Sequence, residues 1–423
     1  MWLAASSITF NALGLITGPI LARGLGPSGR GTLTAILVPL FLASWVAALG
    51  LPAFARRSAA REGRPRALVT TLAGLGLASG GLVFLAAPTI ASTLAEGREV
   101  VYDLLLLGFA LLPALIVGNV LVAVVGGLER WRLTIAAQLV PPIATLVGLI
   151  VLWTTGNLTV GSAAVASIGG QLLVFLPTGL ALRGDGRFRF EPRLARRALA
   201  FGMRAWPGQL SSLANARLDQ LLMIPLVDPA DLGFYVVAWT VATGPSVLGR
   251  AFATALSPRV ARGDAEIVRT GSRILLPLVV AGTGVIAAVT PIALPLLFGS
   301  AFEPAVGLAW VLLCSSIAHQ GAIFLGEALS ASGRPGTYAM GHVVALAVTL
   351  PGLIVLLPAL GVYGAAIVSV GAYLAQFSFI LVAARRRFGG SHLDFLVPRR
   401  ADVRRLRSAL PPLRRPGRGD AAA

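Results

Sequence analysis

The sequence predicts an all-α polytopic membrane protein with twelve transmembrane helices, built as two six-helix bundles related by a pseudo-two-fold axis along the membrane normal. Three observations carry that prediction. Of 423 residues, 56% are hydrophobic and only 12% charged, too little polar surface to clothe a water-soluble chain of this size. Apolar runs of about 20 residues, the length that crosses a ~30 Å hydrocarbon core as a helix, recur twelve times. Several local patterns also return at one fixed shift of 202 positions.

The first run, 3–22, has no basic region before it, so it reads as a first transmembrane helix and not a cleavable signal. Runs 32–55, 68–87, 101–126, 133–153 and 160–182 complete an N-terminal six-helix bundle over residues 1–182. A basic cytoplasmic linker, 183–198, leads to a C-terminal bundle over 199–384, with runs 199–224, 232–256, 274–297, 304–331, 338–357 and 362–384. Prolines 19, 39, 113, 141, 142, 207, 245 and 277 lie inside these runs. Each removes a backbone donor and permits a bend. Small-residue stretches such as Gly74-Leu75-Gly76 and Ala78-Ser79-Gly80-Gly81 allow close helix contact. Residues 385–423 form a basic cytoplasmic tail, rich in arginine and proline, that reads as disordered.

Charge sets the orientation. All 35 basic residues are arginine, and the net charge is +18. Arg56, Arg57, Arg61, Arg64 and Arg66 follow the second run. Arg130 and Arg132 follow the fourth, Arg183 to Arg197 the sixth, Arg259 to Arg273 the eighth, and Arg334 the tenth. The tail adds eleven more. Only Arg23, Arg30 and Arg98 fall on the opposite side. The positive-inside rule then places both termini in the cytoplasm and requires an even number of spans in the cell membrane. The tail is expected to touch anionic lipid. It lacks the folded module or interleaved aromatics of a nucleic-acid binder, so no nucleic-acid partner is expected.

The repeat strengthens the two-bundle reading. Gly26-Pro27 and Gly31 align with Asp228-Pro229 and Gly233, and Arg132 with Arg334. Val160, Ala163, Ala164, Ser167 and Gly169 align with Val362, Ala365, Ala366, Ser369 and Gly371. Six spans per half bring both halves into the membrane the same way round, leaving a cavity between them that can open to either side.

Enzyme signals are missing. The sequence has no GxxxxGK[ST], HExxH, DxD or GxSxG pattern. The outer loops are too short for a catalytic domain. The one cysteine, Cys314, rules out a disulfide framework and a cysteine metal site. No cofactor or metal is expected.

An ordered set of motifs resembles a known family. It comprises LARGLGPSGRG at 21–31, LDQLLMIPLVDPADLGFYVVA at 218–238, LSPRVARGD at 256–264, LFGSAFEPA at 297–305, LSASGRPGTY at 329–338 and LPALGVYGAAIVS at 357–369. Together, across roughly 5–385, the chain resembles the Wzx-type polysaccharide (lipid-linked oligosaccharide) flippases of the multidrug/oligosaccharidyl-lipid/polysaccharide exporter superfamily. The resemblance implies two bundles in alternating access. They would move undecaprenyl-diphosphate-linked oligosaccharide from the inner to the outer leaflet for cell-surface polysaccharide synthesis. Polysaccharide polymerase or glycosyltransferases would be partners, with membrane lipids. Lipid II flippases of the superfamily carry two further C-terminal helices, where this chain has the basic tail. Its multidrug exporters carry a carboxylate inside the first bundle. Here Asp103 lies near a helix end and Glu129 in a loop. A cation-coupled small-molecule or drug exporter is therefore the alternative.

The run 199–224 carries Arg204, Asn215, Arg217 and Asp219. A charge near the middle of a membrane helix costs about 2.5–3.5 kcal/mol on insertion scales, so these residues are expected to face protein, water or substrate. Positions 204, 208, 212, 215 and 219 share one helix side. Arg217 lies two residues from Asp219 and cannot face it. Arginine suits a lipid diphosphate because its planar fork stays charged and bonds phosphate oxygens in pairs. Candidate substrate contacts are Arg204, Asn215, Arg217, Arg250 and Arg23. Candidate ion-coupling groups are Asp219, His319 and Glu327. Each has a plainer reading. Arg204 and Arg250 would snorkel to the surface, Arg217 and Asp219 would join interhelical ion pairs, Arg23 would cap a helix, and His319 would be a buried, hydrogen-bonded histidine.

Overall fold

A computed structural model describes residues 2–62, 65–182, 189–399 and 401–402. Among them every regular element is helical. In chain order these are α1 Trp2–Ala47, α2 Leu51–Glu62, α3 Pro65–Leu85, α4 Ala87–Ala95, α5 Glu99–Gly127, α6 Trp131–Thr154, α7 Val160–Leu172 and α8 Phe175–Ala181. The second half has α9 Pro192–Met223, α10 Pro229–Ala242, α11 Ser246–Ala261, α12 Ala265–Phe298, α13 Ala305–Ala331, α14 Pro335–Phe388 and α15 Leu393–Leu396.

Eight helices among the described residues are long and apolar enough to cross a membrane. All twelve apolar runs are helical, but they do not form twelve uninterrupted rods. The 46 residues of α1 and the 54 of α14 would extend about 70 and 80 Å as straight helices, at least twice the thickness of a bilayer core. Each breaks at a glycine: Gly26 (φ 67°) and Gly361 (φ 57°) occupy the left-handed region that other residues avoid. The run 32–55 is interrupted at Leu49 and Gly50, both with positive φ. The run 232–256 is split between α10 and α11 at Thr243–Pro245, where the proline has no N–H to continue the ladder. Neither piece reaches spanning length, and α9 is too polar to register as an apolar span.

Helix starts recur at the 202-residue shift. The second limb of α1 begins at Pro27 and α10 at Pro229. Helix α7 begins at Val160, and the second limb of α14 at Val362. Thr159 and Ser162 cap α7 reciprocally, and Gly361 stands at the position matching Thr159.

The most intimate contact between the two halves joins α1 to α10. A Cβ on Gly31 would lie 1.7 Å from the Pro229 carbonyl oxygen, and one on Gly233 2.1 Å from the Pro27 carbonyl oxygen. The residues of each contact are exchanged by the 202-residue shift, the signature of a two-fold relation. Side chains larger than hydrogen cannot enter this seam.

Three apolar cores follow. The largest joins both halves beside the seam: Leu33, Ile36 and Leu40 of α1 and Phe109 of α5 share it with Tyr235 and Val236 of α10 and Phe298 of α12. Away from the seam the cores are separate. Leu51, Phe54, Leu72 and Val124 form one in the first half. Leu256, Val268, Phe324 and Phe388 form the other in the second. The halves thus share one core at the seam and keep separate cores away from it. A second close contact joins them where Trp206 Nε1 donates to the Val46 carbonyl at 3.2 Å and a Cβ on Gly202 would lie 2.1 Å from the Leu49 carbonyl oxygen. Around the periphery, large apolar side chains point outward; Leu85, Ile292 and Ile354 are more than 70% exposed, as a lipid-facing belt requires.

Both boundaries of the second half differ from the sequence reading. Residues 183–188 lie outside the described residues, but 192–198 of the linker belong to α9. Leu194 and Ala198 are buried in the first-half core, and Glu191 N–H donates to Thr71 Oγ1 at 3.0 Å. The linker is amphipathic and finds an apolar surface. The start of the tail is folded as well, where sequence suggests disorder from 385. After α14, residues 389–402 turn back and dock on α12. Phe395 is fully buried. Arg273, 1% exposed, donates to both carboxylate oxygens of Asp402 (2.9 and 2.7 Å) and to the Asp394 carbonyl (2.9 Å). Arg269 donates to the Phe388 carbonyl at 3.0 Å. Residues 403–423 lie outside the described residues.

Candidate functional site

The polar side chains that sequence marks on α9 do not share one environment. The stripe runs along α14: a Cβ on Gly208 would touch Ala339, and Asn215 Nδ2 donates to the His342 carbonyl at 2.7 Å. Asn215 is therefore a tie between helices. Asp219 is 7% exposed. It accepts from the Tyr235 hydroxyl and from its neighbour's amide, Gln220 N, at 2.8 Å. Tyr235 Oη also lies 3.4 Å from Ser369 Oγ, so α9, α10 and α14 meet at one carboxylate. Among the described residues Asp219 has no ion-pair partner within 4 Å.

Arg217 faces away, as its spacing requires. Nη1 donates to Gln220 Oε1 at 2.8 Å, and the guanidinium lies 4.3 Å above the Trp239 ring. The predicted partner on another helix is thus an aromatic face, which attracts a cation through its quadrupole. Arg30, from the other half, comes within electrostatic reach of Arg217. Its Nε is buried without a hydrogen-bond partner, as is Gln220 Nε2.

Around His319 the network continues. Its ring stacks 4.2 Å from Tyr373, whose hydroxyl reaches the Asn215 carbonyl at 3.5 Å. His342 Nδ1 lies 3.1 Å from Gln376 Nε2, and its ring 4.9 Å from Tyr338. Gln320 Oε1 accepts from Gly249 N at 3.1 Å, fixing α11 to α13. Arg250, on the next residue, is exposed and within electrostatic reach of His319 and Tyr338. Glu327 is also exposed and within reach of Tyr338. Arg204 is exposed on α9, between the inter-half contacts of Gly202 and Trp206. Among the described residues none of these three has a hydrogen-bond or ion-pair partner. The structure therefore places Asn215 and His319 in one partly buried cluster through Tyr373, buries Asp219 against Tyr235, and leaves Arg204, Arg250 and Glu327 exposed.

Arg23 stands apart. Its guanidinium donates to the carbonyls of Leu296 and Leu297, at the C-terminal end of α12. A cation there satisfies orphan carbonyls and meets the negative end of the helix dipole. Its geometry is that of a cap.

Sequence reasoning missed Arg30, Trp239 and the tyrosines. One signal was present: the chain has only five tyrosines and three histidines, and Tyr235, Tyr338, Tyr373, His319 and His342 converge here. Tyr235, inside the apolar run 232–256, is the fully buried donor to Asp219. Tyr235→Phe should lower thermal stability by about 1–3 kcal/mol, the penalty for a buried acceptor deprived of a donor. An unchanged melting midpoint in detergent would mean that Asp219 does not depend on the phenol.

Comparison with known proteins decides the family. The sequence matches the family described as polysaccharide biosynthesis protein over residues 1–263. The chain belongs to that family. No curated protein matches it significantly. Among solved structures, it is similar to an inward-facing multidrug resistance MATE family transporter of the MOP superfamily (TM-score 0.71, 15% identity, 91% of this chain and 98% of that one). It is equally similar to the lipid II flippase MurJ in an inward closed conformation (0.71, 14%, 93% and 89%). An outward-facing MATE family transporter of the same superfamily scores lower, 0.62 at 16% identity over 92% and 93%. This member of the polysaccharide biosynthesis family therefore has a MATE- and MurJ-like fold. With eight described helices long and apolar enough to cross a membrane, it is a multi-pass membrane protein of that family.

Proposed function

We propose that the chain carries undecaprenyl-diphosphate-linked oligosaccharide from the inner to the outer leaflet of the plasma membrane. Its two six-helix bundles, 1–182 and 199–384, would alternate about a pseudo-two-fold axis along the membrane normal, with twelve spans and both termini cytoplasmic. The observation that carries this reading is the core that joins the halves at the glycine seam while their other ends keep separate cores. With the arginine-rich loops inside, the seam would be the outer gate and the end with separate cores would face the cytoplasm. The higher similarity to inward-facing than to outward-facing relatives supports the same state.

Arg204 and Arg250 would meet the diphosphate as it enters from the cytoplasm. Arg217 lies about 20 Å further along α9 than Arg204, toward the seam, and would take it next. The sugars would pass between the bundles while the polyprenyl tail stays in lipid. Of the coupling candidates, Asp219 is best placed, because it is a buried carboxylate shared by three helices whose protonation would alter their contact. A cation-coupled small-molecule exporter is the second reading, favoured by the likeness of the fold to multidrug MATE transporters.

Reconstitution tests the choice. Proteoliposomes loaded with undecaprenyl-diphosphate oligosaccharide should expose it to an external glycan-cleaving enzyme faster than empty vesicles. Equal exposure, together with proton- or sodium-driven efflux of cationic drugs, would sink the flippase reading in favour of the exporter.

A further inference from the structure

The folded start of the tail creates a feature that transport does not use. Where residues 389–402 turn back, a cavity of about 590 Å³ opens between them and the end of α14, lined by Val382, Arg385, Arg386, Gly390 and His392. Its position along the membrane follows from arithmetic. The apolar limb from Val362 to Ala384 rises about 35 Å as a helix, so Val382 lies at the edge of the hydrocarbon and Arg385 and Arg386 at headgroup level. Both arginines are exposed, and among the described residues neither has a hydrogen-bond or ion-pair partner.

The segment that supplies Gly390 and His392 is anchored to α12. Asp402 is 2% exposed and held by both prongs of Arg273; Phe395 is fully buried beneath. Asp394 Oδ2 accepts from Ser391 N at 2.7 Å, which sets the turn beside His392. The acidic groups of the segment bond to Arg273, Ser391 and Arg399, and among the described residues none forms an ion pair with Arg385 or Arg386. A concave site results, with an apolar edge on the membrane side and two free guanidiniums above it.

We propose that this cavity is a binding site for the phosphate headgroup of an anionic phospholipid. The Arg385 and Arg386 forks hold the phosphate, His392 lines the headgroup, and the acyl chains run down past Val382. The docked segment forms one wall, so the site exists only while Asp402 engages Arg273. This inference stands independently of the transported substrate.

The test is retention of phosphatidylglycerol against phosphatidylcholine by the detergent-solubilised full chain, read by native mass spectrometry. Basic residues near a membrane surface contribute about 1 kcal/mol each, so the Arg385→Ala/Arg386→Ala pair should lose roughly 30-fold in phosphatidylglycerol affinity. Asp402→Asn, which loosens the wall and leaves both arginines in place, should lose affinity too. The double variant Arg262→Ala/Arg334→Ala removes two exposed arginines elsewhere and should retain wild-type binding. An equal loss in that control would mean diffuse attraction without a site. Wild-type retention in the Arg385/Arg386 variant would overturn the proposal. Full displacement of the lipid by millimolar inorganic phosphate would assign the cavity to a soluble anion instead. Thermal melts of each variant separate lost binding from lost folding.

Discussion

Gly31→Val is expected to abolish translocation while the protein still reaches the membrane. The carbonyl of Pro229 lies 1.7 Å from where a Cβ would stand, and backbone cannot step aside as a flexible side chain can. Overpacking of this kind costs about 1–3 kcal/mol. Here the cost falls only on the conformation in which the seam is closed, so the equilibrium shifts toward seam-open forms by roughly 10- to 100-fold. Gly233→Val should act alike, because its contact with Pro27 is the symmetry mate of the first. Gly284→Val, at a position with open space around it, is the control. Spin labels at Ser28 and Ala230, after Cys314→Ser removes the native thiol, report the distance across the seam. A lengthened distance with lost transport is the expected result. An unchanged distance distribution would mean that the seam is not the gate.

Arg250→Gln should reduce transport at least thirtyfold without lowering abundance. Removing a charge that contacts a buried phosphate costs about 2–5 kcal/mol. Arg250 itself is exposed and has no protein partner among the described residues, so its loss leaves no gap and no orphaned acceptor. Arg250→Lys should recover part of the activity, since lysine keeps the charge but not the planar fork. Arg23→Gln is the contrasting case. Arg23 caps α12, and its loss should lower the melting midpoint and abundance together. If Arg250→Gln behaved like Arg23→Gln, with transport and abundance falling in parallel, its role would be structural.

Legibility varied with the range of the physics involved. Hydrophobic run length is a local quantity, and every run of the sequence proved helical. Their continuity was less legible. Gly26 and Gly361 break α1 and α14 at non-helical backbone positions, and Leu49-Gly50 and the Thr243–Pro245 turn interrupt runs whose hydropathy never falters. Hydropathy is blind to backbone conformation. Arg217 shows the same limit at the level of a side chain. Helical spacing excluded Asp219 as its facing partner, correctly, but could not supply Trp239, which lies on a helix 22 residues away.

The sequence alone determined the membrane class, the helical segments and the shift of 202 residues, because each is a sum or a period along the chain. Tertiary structure decided the rest. It turned a repeated glycine into a reciprocal contact, since only packing shows that Gly31 and Gly233 each meet the other half's carbonyl. It made Arg23 a cap and Asn215 a tie, because their acceptors are backbone carbonyls that no residue identity encodes. It folded the start of an arginine-rich tail onto α12, because a buried Arg273 offered a bidentate partner to Asp402, 129 residues away.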